Sequence, residues 1–372
     1  FIDNADCSHK ARFTLIDADG NEKASTIADL RPIISAKLPV EDPVLWNGRK
    51  NPYLYTVRCE IFDSTTQEVT DNIDIRTGLR EYHIDSHKGF FLNGEHIKLQ
   101  GVSRHQDREN MGNAITEKQH AEDVKIILDV GANSVRLAHY QQNSYFYDLC
   151  DESGLLVWAE VPVISRFSPK RNENAEQQLV ELIKQNYNHP SIFCWGIENE
   201  ITIAGSANKK LITFLKHMHK VARHLDPTRY TTCAQLTMCP VNSPLNHITD
   251  IIGYNHYYGW YMGSCDEINN WLDEWHRENP EGKLCLSEYG AEGITKYHSD
   301  SPVQGDYSED YQAIYHEHYI KSINERDWLW GSYVWNMFDF GSASRNEGGV
   351  RGRNNKGLVT LDRKTKKDSY FW

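Results

Sequence analysis

The stretch Phe193–Glu200 reads FCWGIENE, five uncharged residues followed at once by two carboxylates and an amide. A short apolar run of this kind is typical of a strand that is buried on both faces of a parallel sheet. Its polar residues, Glu198, Asn199 and Glu200, fall where such a strand leaves the sheet. The stretch therefore predicts a buried parallel strand that presents carboxylates at its carboxyl end.

Similar apolar stretches recur from about residue 83, and amphipathic helical patterns separate most of them. We predict strands near residues 96–102, 132–138, 155–161, 191–197, 230–236, 251–257, 283–288 and 331–337. We predict helices near residues 116–130, 141–152, 175–187, 208–224, 266–276 and 308–324, the first of them without a capping box. This alternation indicates an α/β fold, a (β/α)8 TIM barrel over residues 83–372 whose last helix is incomplete.

The first 82 residues have a different pattern, in which apolar and polar residues alternate over short stretches such as 11–16 and 53–61. Turn-forming residues separate these stretches, for example at 17–20 and 47–48. Period two over roughly four to six short strands predicts an immunoglobulin-like β-sandwich over residues 1–82. Because a complete sandwich takes about 100 residues, we expect a strand or two to be missing.

Charge and composition disfavour several classes of protein. The 372 residues include 52 acidic and 40 basic ones, and the net charge of −12 disfavours nucleic-acid binding. No apolar run approaches the roughly 18 residues of a membrane span. The sequence begins with Phe1 rather than Met, which indicates a fragment or a processed product. The eight cysteines, Cys7 among them, form no Cys-x-x-Cys pair. We interpret them as buried free thiols of a reducing compartment and expect no zinc site.

Polar side chains follow seven of the eight predicted strands. They lie at residues 103–107, 136–140, 160, 198–200, 255–258, 287–290 and 335–339. The carboxyl ends of the strands form one face of a barrel, so these side chains predict a single functional rim. Glu160 fits two roles in that rim, orienting an arginine or binding a sugar hydroxyl.

Two carboxylates of the rim are candidates for acid–base chemistry. Glu200 follows the fourth strand and Glu288 follows the seventh, and the barrel places these strand ends across one cavity. Two carboxylates that face each other over a sugar are the minimal device for glycoside hydrolysis. The alternative is that both lie at the surface or in salt bridges. We interpret Glu198 as structural rather than catalytic.

Six segments resemble, in order along the chain, the motifs of glycoside hydrolase family 2. They are residues 101–107, 135–140, 188–191, 195–200, 287–290 and 334–336. Residues 1–82 also resemble the immunoglobulin-like domain that precedes the barrel in this family. The family contains β-galactosidases, β-glucuronidases and β-mannosidases, so the resemblance implies a retaining exo-glycosidase that works through a covalent glycosyl-enzyme.

The resemblance also assigns roles to individual residues. Glu200 matches the general acid/base of the family, and Glu288 matches its nucleophile. The residues that match substrate-binding positions are His105 and His139 against the sugar, Asn199 at the 2-hydroxyl, Tyr257 on the nucleophile and Trp335 as a wall of the sugar site.

The sequence departs from the family pattern in two places. The N-terminal jelly-roll domain of the family is missing, and we expect it in the full-length protein. Related β-galactosidases bind Mg²⁺ or Na⁺, and their Mg²⁺ uses a glutamate and a histidine after the third strand. Residues 161–167 offer no such pair, so we assign no metal ligand. We also expect a cytoplasmic bacterial protein that can form a homo-oligomer.

The choice of sugar depends on the barrel motifs and on Lys356. Residues 104–107, 137–140 and 345–357 resemble those of bacterial β-galactosidases, so we expect terminal β-D-galactosides or oligosaccharides as substrates. As an alternative, Asn354 and Lys356 fit the Asn-x-Lys motif with which β-glucuronidases hold a sugar carboxylate, which predicts a β-glucuronidase or β-galacturonidase. Lys356 would otherwise be a solvated loop residue. A second alternative is a sugar-binding remnant with little turnover.

Overall fold

The computed structural model describes residues 9–31 and 33–371. Cys7 lies outside the described residues, and the other seven cysteines are free thiols. Five of these seven are buried, whereas Cys59 and Cys265 are partly exposed. Within the described part of the chain, no helix combines the length and the apolar character needed to cross a bilayer.

The N-terminal region forms antiparallel sheets. Its strands are β1 (His9–Ile16), β2 (Glu22–Asp29), β3 (Trp46–Asn47), β4 (Asn51–Pro52), β5 (Tyr55–Asp63) and β6 (Val69–Thr77). Strands β2, β1, β5 and β6 form a four-stranded sheet in that order, and β3 pairs with β4. The indole of the buried Trp46 donates a hydrogen bond to the carbonyl of Asp151 at 2.9 Å, which attaches this region to the barrel.

A three-stranded antiparallel sheet links this region to the barrel. It consists of β7 (Tyr82–Asp85), β8 (Gly89–Leu92) and β9 (Glu95–Ile97). The Tyr82 hydroxyl donates to the carbonyl of Phe193 at 2.9 Å. Phe90 packs with Phe193, Trp158 and Trp330 in an apolar cluster separate from the main core. This cluster fixes the sheet against the barrel.

Eight parallel strands close into a barrel, which confirms the predicted fold class. They are β10 (Leu99–Arg104), β11 (Ser134–Leu137), β12 (Leu156–Glu160), β13 (Ile192–Asn199), β14 (Tyr230–Leu236), β15 (Ile251–Asn255), β16 (Leu284–Tyr289) and β17 (Gly331–Val334). Pairing of β10 with β17, for example Val102 with Val334, completes the closure. Every strand end lies within three residues of its predicted position.

Six α-helices lie between the barrel strands of the described chain. They are α1 (Glu117–Asp129), α2 (Ser144–Ser153), α3 (Asn172–Asn186), α4 (Lys209–Leu225), α5 (Glu267–Glu278) and α6 (Glu309–Asn324). The expectation that α1 lacks a capping box is wrong, because Gln119 accepts a hydrogen bond from the Thr116 backbone at 2.9 Å. Gln119 stands three residues after Thr116, where a capping box requires it.

An antiparallel hairpin follows the last barrel strand. It consists of β18 (Phe340–Glu347) and β19 (Val350–Asn354), and the sequence did not predict it. Gly348 and Gly349 form its turn with φ values of +59° and +75°, a left-handed conformation that glycine adopts without strain. The hairpin delivers Asn354 and the following Lys356 to the barrel mouth.

Candidate active site

Arg136, in β11, lies at the centre of the site. Its guanidinium is fully buried and donates to Glu288 Oε1 at 2.8 Å, to Glu160 Oε2 at 3.1 Å and to Asn199 Oδ1 at 2.7 Å. Charge-assisted hydrogen bonds of this kind are strong and directional. The sequence placed Arg136 in the functional rim but assigned it no role. Its position inside a buried strand, where an arginine requires a carboxylate partner, is the signal that could have identified it.

The carboxylate of Glu288 is held at both oxygens. Arg136 donates to Oε1, and the Tyr257 hydroxyl donates to Oε2 at 2.6 Å. The residue is 4% exposed. The contact from Tyr257 is the one expected from the resemblance. The arrangement fixes the orientation of a carboxylate that faces the cavity with little freedom to rotate.

Glu200 lies in a different environment. The Asn255 side chain donates to Glu200 Oε1 at 3.1 Å and to Asn199 Oδ1 at 3.2 Å. Burial, and then the charge of Glu288, raise the pKa of Glu200 to about 7. Glu200 also has a φ of +49°, which is uncommon for a residue with a side chain. A carboxyl group with this pKa can give and take a proton near neutral pH.

Two further buried glutamates, Glu198 and Glu160, accept hydrogen bonds from other groups of the protein. Glu198 accepts from the Ile201 backbone at 3.0 Å and from the Gln235 amide at 2.9 Å, and burial raises its pKa to about 8. These contacts agree with its interpretation as structural. Glu160 binds Arg136, so of its two proposed roles the structure shows the first. Burial alone would raise the pKa of Glu160, but Arg136 and His139 hold it below its usual value.

Three aromatic rings form one side of the site. The ring centroids of His139 and Trp335 are 5.0 Å apart and nearly parallel, and His105 meets Trp335 edge-on at 5.3 Å. His139 Nδ1 lies 2.6 Å from Glu160 Oε1, and its Nε2 lies 3.8 Å from Glu288 Oε1. Burial, with the neighbouring His139 and Arg136, lowers the pKa of His105 well below its usual value. His105 is therefore a neutral ring near pH 7.

Lys356 is fully buried, so the alternative of a solvated loop residue is wrong. Its ammonium donates to the Tyr261 hydroxyl at 2.7 Å and to Glu292 Oε1 at 3.0 Å. It also lies 5.9 Å from the ring centroid of Tyr257, whose hydroxyl binds the Glu288 carboxylate. Asn354 accepts from the Lys356 backbone at 3.0 Å. The structure therefore links Lys356 of the Asn-x-Lys motif to Glu288 through Tyr257.

Clusters of potential metal ligands lie away from Glu200 in the part of the chain that the structure describes. Among the described residues, two groups of three bring potential ligand atoms together, namely Asp148, Asp151 and His189, and His298, Asp310 and Asp368. Neither group includes Glu200 or Glu288. Residues 161–167, after β12, contain no glutamate or histidine.

Comparison with known proteins identifies the family of the chain. Residues 84–370 match the family described as Glycosyl hydrolases family 2, TIM barrel domain, and residues 3–80 match Glycosyl hydrolases family 2. A curated β-glucuronidase of Bacteroides fragilis is 43% identical over 350 residues, which cover 90% of this chain and 49% of that protein.

Two solved structures extend this similarity. An FMN-binding β-glucuronidase from Facaelibacterium prausnitzii L2-6 has 47% identity and a TM-score of 0.96, covering 100% of this chain and 57% of its own. A putative β-galactosidase from Bacteroides fragilis has 39% identity and a TM-score of 0.91, covering 100% of this chain and 56% of its own.

Two carboxylates at the carboxyl end of a (β/α)8 barrel are the arrangement expected of a glycosidase. The chain belongs to glycoside hydrolase family 2. It spans about half the length of the relatives described above.

Proposed function

We propose that the full-length protein is a retaining β-glucuronidase that releases terminal β-D-glucuronic acid from glycosides. The observation that carries this proposal is the buried ammonium of Lys356, which lies against Tyr257, the partner of the Glu288 carboxylate. Several relatives named β-glucuronidase support it, among them the protein of Bacteroides fragilis. The alternative reading of the Asn-x-Lys motif thus accounts for the site better than the expected galactosidase does.

In the proposed mechanism Glu288 attacks the anomeric carbon while Glu200 protonates the departing glycosidic oxygen. The C1–O bond breaks, and the sugar is left bonded through C1 to a carboxylate oxygen of Glu288. Glu200, now ionised, removes a proton from water, which attacks C1 and releases the sugar with its configuration retained. The raised pKa of Glu200 suits a group that must first give and then take a proton.

Arg136 and Tyr257 support the nucleophile in this scheme. Each donates to one oxygen of Glu288, so the carboxylate is oriented before substrate arrives. His105, His139, Asn199 and Trp335 remain the proposed contacts of the sugar ring and hydroxyls.

The substrate preference is proposed from the chemistry of a buried cation. An ammonium away from water favours anionic partners, and a sugar carboxylate is such a partner. Lys356 already contacts Glu292, so a uronate would be its second carboxylate. A neutral hexose would offer only a hydroxyl at that position.

The relatives are about twice as long as this chain, so the activity is proposed for the whole protein. We further propose that the full-length protein contains a jelly-roll domain and forms a homo-oligomer. The domain boundary between residues 82 and 83 is part of the same proposal. A cytoplasmic location in a bacterium is proposed as well, supported by the free thiols and the bacterial relatives.

A panel of nitrophenyl β-glycosides tests the function. The full-length protein should hydrolyse the glucuronide with a higher kcat/KM than the galactoside, the galacturonide or the glucoside. A fluorinated glucuronosyl inactivator should add its mass to the peptide containing Glu288. Higher efficiency on the galactoside, or labelling at another residue, would refute the respective part of the proposal.

A β-galactosidase remains the second candidate. The similarity to a putative β-galactosidase at 39% identity favours it, as do the motifs at residues 104–107, 137–140 and 345–357. Binding of glucuronate without turnover of any glycoside would instead support the sugar-binding remnant.

A further inference from the structure

A second cation, Arg345, lies beside Lys356. It belongs to β18, the first strand of the hairpin that the sequence did not predict. Arg345 Nη2 donates to the Tyr261 hydroxyl at 3.0 Å, and Nη1 donates to Glu292 Oε1 at 3.0 Å. Lys356 uses the same two acceptors. The two cations are therefore joined through a shared phenol and a shared carboxylate.

The two cations differ in their access to solvent. The side chain of Lys356 is 0% exposed, whereas that of Arg345 is 24% exposed. Tyr261, which both contact, is an exposed tyrosine. Part of the Arg345 side chain is therefore accessible to solvent, whereas Lys356 is enclosed. A planar guanidinium also binds carboxylates through two parallel donors, which an ammonium cannot do.

Arg345 also binds a second carboxylate, that of Glu347. Glu347 Oε2 accepts from Arg345 Nη1 at 2.7 Å, and the Glu347 side chain is 37% exposed. Burial raises the pKa of Glu347, whereas the charge of Arg345 opposes this change. Of the two glutamates that contact Arg345, Glu347 is the more exposed, since Glu292 is fully buried.

The charges of this group balance in the free protein. Arg345 and Lys356 supply two positive charges, and Glu292 and Glu347 supply two carboxylates. A substrate carboxylate added to this group would bring three carboxylates against two cations, with like charges close together. If Glu347 moves away from Arg345, two carboxylates again face two cations. The guanidinium of Arg345 can then donate a hydrogen bond to the substrate carboxylate.

We propose that Arg345 is a second carboxylate-binding cation of the sugar site, and that Glu347 occupies it until a uronide substrate displaces it. The proposal rests on the proposed β-glucuronidase function and deepens it. In this proposal Arg345 determines specificity. Glu347, in the same strand, competes with the substrate carboxylate for the guanidinium of Arg345. Lys356 keeps its contact with the buried Glu292. Arg345 exchanges its contact with Glu347 for one with the substrate carboxylate.

Steady-state kinetics of the full-length protein test the proposal on two substrates that differ only at C6, nitrophenyl β-glucuronide and nitrophenyl β-glucoside. Arg345→Gln should raise KM for the glucuronide about 10- to 100-fold with little change in kcat, since a charge-assisted contact is lost. Arg345→Lys should restore part of that loss. KM for the glucoside should change less than about threefold. Where glucoside turnover is too slow, inhibition constants of free D-glucuronate and D-glucose give the same comparison.

Glu347→Gln is the decisive variant, because it preserves shape and removes the competing charge. It should lower KM for the glucuronide several-fold and leave kcat within about twofold, a gain that loss of structure cannot produce. Arg353→Gln is the matched control, since Arg353 lies on β19 and pairs with Glu109 instead. Its kinetic constants should match those of the wild type.

The outcomes separate this inference from the proposed function. If the wild type hydrolyses glucuronides but Glu347→Gln raises KM, the inference is wrong and the function stands. The same holds if Arg345→Gln affects both substrates equally. If the wild type does not prefer glucuronides to neutral glycosides, the proposed function fails and the inference fails with it.

Discussion

Arg136 donates hydrogen bonds to Glu288, Glu160 and Asn199 from inside the barrel. Polarity at seven strand ends was enough to locate the functional rim and to choose Glu200 and Glu288 within it. The pairing of Arg136 with Glu288 could not be read from the sequence, because residues of β11 and β16 meet only after the barrel has closed. The roles of the nine predicted site residues stay predictions, although the structure shows contacts among several of them, for example between Tyr257 and Glu288 and between His139 and Trp335.

Replacement of Arg136 should destabilise the protein. Arg136→Gln leaves Glu160 and Glu288 buried without a full cationic partner, so we expect the free energy of unfolding to fall by about 3–5 kcal/mol. Urea unfolding measures this change. The control is Arg351→Gln on the exposed part of β19, which should stay within about 0.5 kcal/mol of the wild type. A loss below about 1 kcal/mol for Arg136→Gln would contradict the central position given to this residue.

The pH dependence of activity should reflect Glu200. Its pKa is raised to about 7, and the acid role requires the protonated form. Activity should therefore be present below pH 7 and fall as the pH rises through about 7. The pH profile of kcat/KM measures this limb. Glu200→Gln should be far less active than the wild type, and its profile should lack the fall in kcat/KM near pH 7. A wild-type profile that stays flat up to pH 9 would contradict the assignment.

The sequence analysis missed the hairpin of β18 and β19, as it missed the sheet of β7, β8 and β9. The sequence Asn346-Glu347-Gly348-Gly349 contains a turn signal, but the surrounding residues lack a clear alternation of apolar and polar side chains. A short strand without a buried face gives little signal. The barrel strands were predictable for the opposite reason, since burial on both faces makes them continuous apolar runs.

Lys367 connects the elements that carry Glu292 and Lys356. Its buried ammonium donates to the carbonyls of Gly293 and Asn355 at 2.7 and 2.9 Å, and to Asp339 Oδ1 at 2.7 Å. Lys367→Met should cost about 3–5 kcal/mol of stability, because Asp339 is left buried without a cationic partner.

The same variant should raise KM for the glucuronide more than it lowers kcat, since the residues it holds lie beside Lys356 rather than Glu288. Thermal unfolding and steady-state kinetics together measure both effects. Lys364→Met, at an exposed position near Lys367, is the control. A normal KM in a destabilised Lys367→Met protein would show that the contact is structural only.

At the scale of the whole molecule, the α/β class and the barrel followed from the alternation of strands and helices. The N-terminal region was recognised from its period-two pattern, and in the described residues it contains one four-stranded sheet and a short hairpin. The order of strands around the barrel follows the order in the sequence, which is why local patterns were sufficient. The sugar cannot be predicted from local patterns in the same way, because the proposed recognition of a uronate involves Lys356, Glu292 and Tyr261, which lie far apart in the sequence.

The 372-residue chain should fold on its own, because the barrel has its own extensive core. Its activity should nevertheless be weaker than that of the full-length protein, because we expect the proposed jelly-roll domain to supply part of the sugar site. A cooperative unfolding transition and kcat/KM on nitrophenyl glucuronide test the two statements. Equal kcat/KM in the chain and in the full-length protein would show that the additional domain is dispensable.

The most direct test of the central claim is the ratio of kcat/KM for nitrophenyl β-glucuronide to that for nitrophenyl β-galactoside, in the wild type and in Lys356→Met. The ammonium of Lys356 should contribute a charge-assisted contact of about 1.5–3 kcal/mol to the uronide alone. The wild type should therefore prefer the glucuronide, and the substitution should lower that ratio about 10- to 100-fold. A wild-type preference for the galactoside, or an equal loss on both substrates, would contradict the assignment of Lys356 to a sugar carboxylate.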